Sequence, residues 1–171
     1  LEAGYQILVY DHFGRGFSER PRTDYSAELY VQALTELLNQ QNLSQPVHLV
    51  GYSMGGAILG HFAESYPDRV ATMSLIAPAG FMTEQSAISN VVNIPLIGEW
   101  LGHIFADQML VSDITETEMA NIDDPLAIPT EEFVTKVSKQ MQHSGFVESL
   151  VSTLRHFNLF NALASFNAVG K

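Results

Sequence analysis

Through roughly the first eighty residues, short apolar runs alternate with stretches of helical periodicity. "YQILVY" (5–10) is a β-rich run ending at Asp11, and it predicts a buried strand. In "DHFGRGFSERPR" (11–22), Gly14, Gly16 and Pro21 predict a long loop. From Ser26, a candidate N-cap, apolar residues recur at Ala27, Tyr30, Val31, Leu34, Leu37 and Leu38. That spacing predicts a helix, and Asn42 is a natural stop. "VHLVG" after Pro46 predicts a second strand. "MGGAILGHFAESY" (54–66) reads as a helix closed by Pro67, and "VATMSLIA" (70–77) as a third strand before the turn "PAG".

Strand, helix, strand, helix, strand at these spacings is a βαβαβ pattern, which implies an α/β fold with a parallel sheet and helices on both faces. Right-handed crossovers would bring the strand ends at Asp11, Gly51 and Ala77 to one edge, where open α/β sheets bind ligands. After about Phe81 no strand-like run follows. Amphipathic stretches take over, such as "PLIGEWLGHIFADQML" (95–110), "EEFVTKVSKQMQH" (131–143) and "GFVESLVSTLRHFNLF" (145–160). The expected organisation is a core over residues 1–82, a helical cap or lid over 83–165, and a return to the core from 166 to 171.

Composition narrows the class. With 46% hydrophobic and 16% charged residues the 171-residue chain is globular, and no apolar run has the length of a membrane span. Cysteine is absent, which excludes disulfides and thiolate chemistry and leaves the compartment open, a cytoplasmic one being preferred. Nearly all of the net charge of −11 lies between Arg69 and Lys136, a stretch with no Lys or Arg. Such a surface repels phosphate backbones, so no nucleic-acid partner is expected. No His, Asp and Glu fall at H-E-x-x-H or EF-hand spacing, so no metal is expected. Oligomeric state is not legible.

One motif carries chemistry. In "VHLVGYSMGGAILG" (47–60) an apolar strand ends at Gly51 and a glycine-rich helix starts right after Ser53. This is the pattern of a nucleophile elbow, formed by Gly51, Tyr52, Ser53 and Gly55, in which a strained turn lifts a hydroxyl above the sheet edge. The two flanking glycines are expected because the chain before and after the turn nearly touches there. The helix N-terminus would aim backbone N–H groups, that of Met54 first, at an oxyanion beside Ser53. The alternative is a turn whose serine simply caps the helix. Asp11 is expected to hold its loop through bonds to backbone N–H groups rather than to react.

"ILVYDHFGRGFSERP", "PVHLVGYSMGGAILGHFAESYPDRV" and "MSLIAPAGF" together resemble the middle of an α/β-hydrolase fold enzyme. Asp11, Gly14, Gly16 and Ser18 match that family's D-x-x-G-x-G-x-S loop, and Gly51 to Gly55 its nucleophile elbow. "APAG" resembles the esterase and lipase branch, including monoacylglycerol-lipase-like members. The resemblance is tight over residues 5–82. It implies a cofactor-free serine hydrolase acting on a small hydrophobic ester, with Ser53 forming an acyl-enzyme. A carbon–carbon bond hydrolase, a cofactor-free haloperoxidase and a non-catalytic ligand-binding module are alternatives on the same scaffold. Phe81, Met82, Trp100, Leu101, Ile104, Phe105 and Met109 offer apolar bulk to roof a pocket.

The resemblance also implies a triad in the chain order Ser, Asp or Glu, His. His12 and His48 precede Ser53, His61 lies two helical turns beyond it, and His103, His143 and His156 fall in cap segments. Glu64 and Asp68 sit at the far end of the helix, and "APAG" offers no carboxylate. The acid and the histidine are therefore expected outside this chain. The family's His-Gly oxyanion loop is expected before residue 1, and the whole is read as an internal piece truncated at both ends.

Overall fold

The computed structural model describes residues 4–81, 129–159 and 162–169. In chain order these form α1 (Ala27–Gln40), β1 (Val47–Tyr52), α2 (Met54–Ser65), a 3-10 turn (Pro67–Arg69), β2 (Val70–Ile76), α3 (Thr130–Met141), α4 (Phe146–His156) and α5 (Leu163–Val169).

Helix α1 begins where Ser26 caps it, its hydroxyl accepting from the Leu29 N–H at 3.3 Å. Past its end, Asn42 takes a left-handed φ of 56° while Leu43 N–H donates back to the Leu38 carbonyl. Strands β1 and β2 pair in parallel, with Gly51 opposite Leu75 and Tyr52 opposite Ile76. The connecting helix α2 packs on β1, with Leu49, Leu59 and Phe62 meeting Val31, Leu34 and Leu38 of α1. Alternation along β1 is the reason: Leu49 and Gly51 face this core, while Val50 and Tyr52 point to the opposite, exposed side.

Residues 5–10 depart from expectation. They form no strand, and Tyr5, Ile7, Leu8 and Val9 are exposed. A strand exists through its ladder, and among the described residues β1 and β2 pair only with each other. The apolar, β-branched pattern recorded a segment that seeks burial; it did not supply a partner. Tyr10 alone turns inward onto the α1–α2 core.

Of the region expected as a cap, residues 83–128 lie outside the described set, including Trp100, Leu101, Ile104, Phe105 and Met109; Met82, just before it, does too. Of the rest, α3 packs on α4, and the chain after α4 packs on the βα unit. Phe157, 1% exposed, joins Tyr25, Tyr30, Ala57 and Ile58 in one apolar cluster, and α5 lies along α2.

Candidate active site

Ser53 stands between the end of β1 and the start of α2 with φ 49° and ψ −119°. A side chain with a Cβ strongly disfavours that region, so the turn stores strain of about 1–3 kcal/mol. Both flanking peptide groups are held. Ser53 N–H donates to the Ile76 carbonyl at 3.0 Å, and its own carbonyl accepts from Gly56 N–H and Ala79 N–H, each at 3.0 Å. Its hydroxyl makes no capping bond to the helix, and the residue is exposed. The capping alternative therefore lacks its defining contact.

The glycines divide unequally. A Cβ at Gly51 would come within 2.8 Å of the Gly55 and Gly56 backbone, so the close approach expected there is present. At Gly55 the expectation is corrected, because an added Cβ meets nothing within 4 Å among the described residues. The second crowded position is Gly56, whose Cβ would lie 2.6 Å from that of Pro78. Successive residues of a helix point about 100° apart around its axis, and of the two only Gly56 faces the turn that follows β2. Met54, the first residue of α2, is half-buried, and its N–H is among the four that a helix start leaves without an intrahelical partner.

The loop after residue 10 reaches the same neighbourhood. Phe13, Met54, Ala79 and Leu159 all pack on the cluster around Phe157. Asp11 holds this loop as expected: its Oδ2 accepts from Phe17 N–H at 3.0 Å, and Ser18 Oγ donates to its carbonyl at 2.6 Å. Gly16, at φ 50°, has no space for a Cβ because the Asp11 carboxylate occupies it.

A hydroxyl-lined clasp, absent from the sequence reading, joins this loop to α4. Arg15 donates to Ser149 Oγ at 2.9 Å and to Thr153 Oγ1 at 3.4 Å, and Tyr30 OH meets the same Thr153 at 2.9 Å. Ser149 is 1% and Thr153 0% exposed. Burial pushes the Arg15 guanidinium below its ordinary value, Tyr30 and Tyr25 opposing and Arg20 adding to the shift. The Phe146 ring lies under the guanidinium at 5.5 Å.

None of the described histidines meets Ser53. His61, about 12 Å further along α2 by helical rise, bonds Ser165 Oγ through Nδ1 at 2.9 Å and lies 3.7 Å from Glu64 through the same nitrogen. His48 pairs with Thr72 across the exposed sheet face at 2.8 Å. His12 sits between the Tyr10 and Tyr30 rings, His143 faces Phe17, and His156 lies 3.5 Å from Asp24. Burial lowers the His12 imidazole, helped by Arg15, and lowers that of His61 against the pull of Glu64. His103 lies outside the described residues. Among the described residues no three His, Cys, Asp or Glu side chains are grouped to hold a metal, and no helix is long and apolar enough to cross a membrane.

A strained serine between a parallel strand and a helix N-terminus, beside a D-x-x-G-x-G-x-S loop, defines a class, and comparison with known proteins agrees. The family model for the alpha/beta hydrolase fold matches residues 1–102, and the chain belongs to that family. "Lipase 3" of Moraxella sp. (strain TA144) is 38% identical over 79 residues, which is 46% of this chain and 25% of the relative. "Lipase 1" of Psychrobacter immobilis is 39% identical over 79 residues, with the same two shares, 46% and 25%. Among solved structures, a bromoperoxidase from Bacillus anthracis superposes with a TM-score of 0.74 at 21% identity, covering 99% of this chain and 62% of that one. At that identity the likeness speaks for the fold. The chain spans about a quarter of the length of the two lipases it matches.

Proposed function

We propose that the protein is a serine hydrolase of carboxylic esters, an esterase or lipase, working through an acyl-enzyme on Ser53. The observation that carries this reading is the Ser53 backbone, held at φ 49° and ψ −119° with its hydroxyl uncommitted to a helix cap. Strain of this kind persists only where the surroundings over-determine it, and it gathers at reacting residues.

In this reaction Ser53 Oγ attacks the ester carbonyl while its proton passes to a histidine base. The carbonyl oxygen becomes an oxyanion, and the Met54 N–H at the helix start is one donor to it. The tetrahedral intermediate expels the alcohol, which takes the proton back, and water then cleaves the acyl-enzyme by the same steps. None of the described histidines reaches Ser53, so the base we propose is none of His12, His48, His61, His143 and His156; His103 lies outside the described residues. Phe13, Met54, Ala79 and Leu159 around Phe157 give the elbow an apolar neighbourhood, which favours a hydrophobic acyl or alcohol group.

The test is turnover of p-nitrophenyl esters of increasing chain length by the full natural protein and by its Ser53→Ala variant. The reading requires Ser53→Ala to lose about 10³-fold or more in kcat/KM. Full activity in that variant contradicts it.

A further inference from the structure

Beyond the elbow itself, the turn that follows β2 has an unusual construction. Ala77 takes φ 40°, in the left-handed region like Asn42 and Ser53, one step past Ile76, and Tyr52, the strand partner of Ile76, immediately precedes Ser53. This bend carries the chain back over the first turn of α2. Pro78 then sits against Gly56, and Ala79 N–H reaches the Ser53 carbonyl at 3.0 Å. Gly80, at φ 111°, closes the turn and accepts from Ala162 N–H at 2.9 Å, just before α5. A Cβ at Gly80 would lie 2.6 Å from that of Ala162, so the turn is gripped between the elbow and α5.

We propose that the turn Ala77–Gly80 is a positioning element for Ser53, with the Ala79 N–H as its working contact. The inference rests on the reading of Ser53 as a nucleophile. Two dihedral angles place the Ser53 side chain relative to the sheet, and each is bounded by one peptide plane. The plane before Ser53 is fixed when its N–H bonds to Ile76, and the plane after it when its carbonyl bonds to Ala79. The carbonyl's other bonds, from Gly56 and Ala57 at 3.0 and 3.4 Å, belong to the start of α2 and would follow the helix if it shifted. Among the described residues, the Ala79 bond alone ties that plane to the β2 side. Without it that plane is held by α2 alone and can move with the helix toward an unstrained ψ, which turns the Met54 N–H away from the hydroxyl.

The test removes the donor and keeps the side chain. Lactic acid in place of Ala79 in the full natural protein turns one amide into an ester and deletes that N–H alone. Fluorophosphonate labelling, in which Ser53 Oγ displaces fluoride from phosphorus, is followed for kinact and KI separately. The positioning role predicts that kinact falls about tenfold or more while KI moves less than about threefold. Ala79→Pro, which also lacks the N–H, shows the same fall in its folded fraction. An unchanged kinact in a parent that labels at Ser53 overturns this inference and leaves the nucleophile reading standing. A parent that fails to label at Ser53 overturns both.

Discussion

Arg15 Nη1 donates to the Ser149 hydroxyl at 2.9 Å across 134 residues of chain, tying the loop after residue 10 to helix α4. Ser149 Oγ in turn bonds the Gly14 and Phe146 carbonyls at 3.1 and 2.7 Å, so one buried hydroxyl serves three partners. Ser149→Ala leaves a largely buried guanidinium with one acceptor fewer. The expected loss is about 1–3 kcal/mol of unfolding free energy, read from urea denaturation.

The two motif glycines separate by stability. Gly51→Ala forces a Cβ within 2.8 Å of the Gly55 and Gly56 backbone, neither of which can yield without moving the elbow. It is expected to cost about 3 kcal/mol or more, in the range of severe overpacking. Gly55→Ala meets open space and places alanine in a helix, so it is expected to gain up to about 1 kcal/mol. Urea midpoints of the two variants check the pair, and a comparable loss in both contradicts the corrected role of Gly55.

Strain at Ser53 predicts a trade between stability and reactivity. Ser53→Gly relieves the φ 49° conformation and is expected to stabilise the fold by about 1 kcal/mol while abolishing ester turnover. Thermal melting beside an ester assay measures both, and a destabilised Ser53→Gly variant contradicts the strain.

Acid should weaken this fold through its half-buried imidazoles. His12 and His61 both have folded values depressed by burial below the ordinary 6.5, so the unfolded chain binds more protons between the two values. Their contribution is fully present above pH 6.5 and is lost as the pH falls through the folded values. Melting temperature is therefore expected to drop on going from pH 7.5 to about 5.5, with a smaller drop in His12→Gln than in the parent.

What the sequence disclosed was what is local. The Ser26 cap, the stop at Asn42, the β1–α2–β2 unit and the serine between strand and helix are all written in neighbouring residues. The clasp was not. Ser149 and Thr153 read as polar positions on an amphipathic helix, and contact with Gly14, Arg15 and Tyr30, far away in the chain, makes them among the most buried side chains. Residues 5–10 carry a strand's composition, yet pairing is a property of two segments, and one segment cannot state it. Gly55 matched a motif whose steric reason belongs at Gly51 and Gly56. The turn at Ala77 was hidden for a different reason: alanine gives no sign of a left-handed φ, which its hydrogen-bonded surroundings impose.

Whether Ser53 is a nucleophile is read at the residue itself by site-mapped fluorophosphonate labelling of the full natural protein. A single phosphonylated residue is expected at Ser53, lost in Ser53→Ala. A protein that hydrolyses esters yet carries the label at another residue, or none at all, would contradict it.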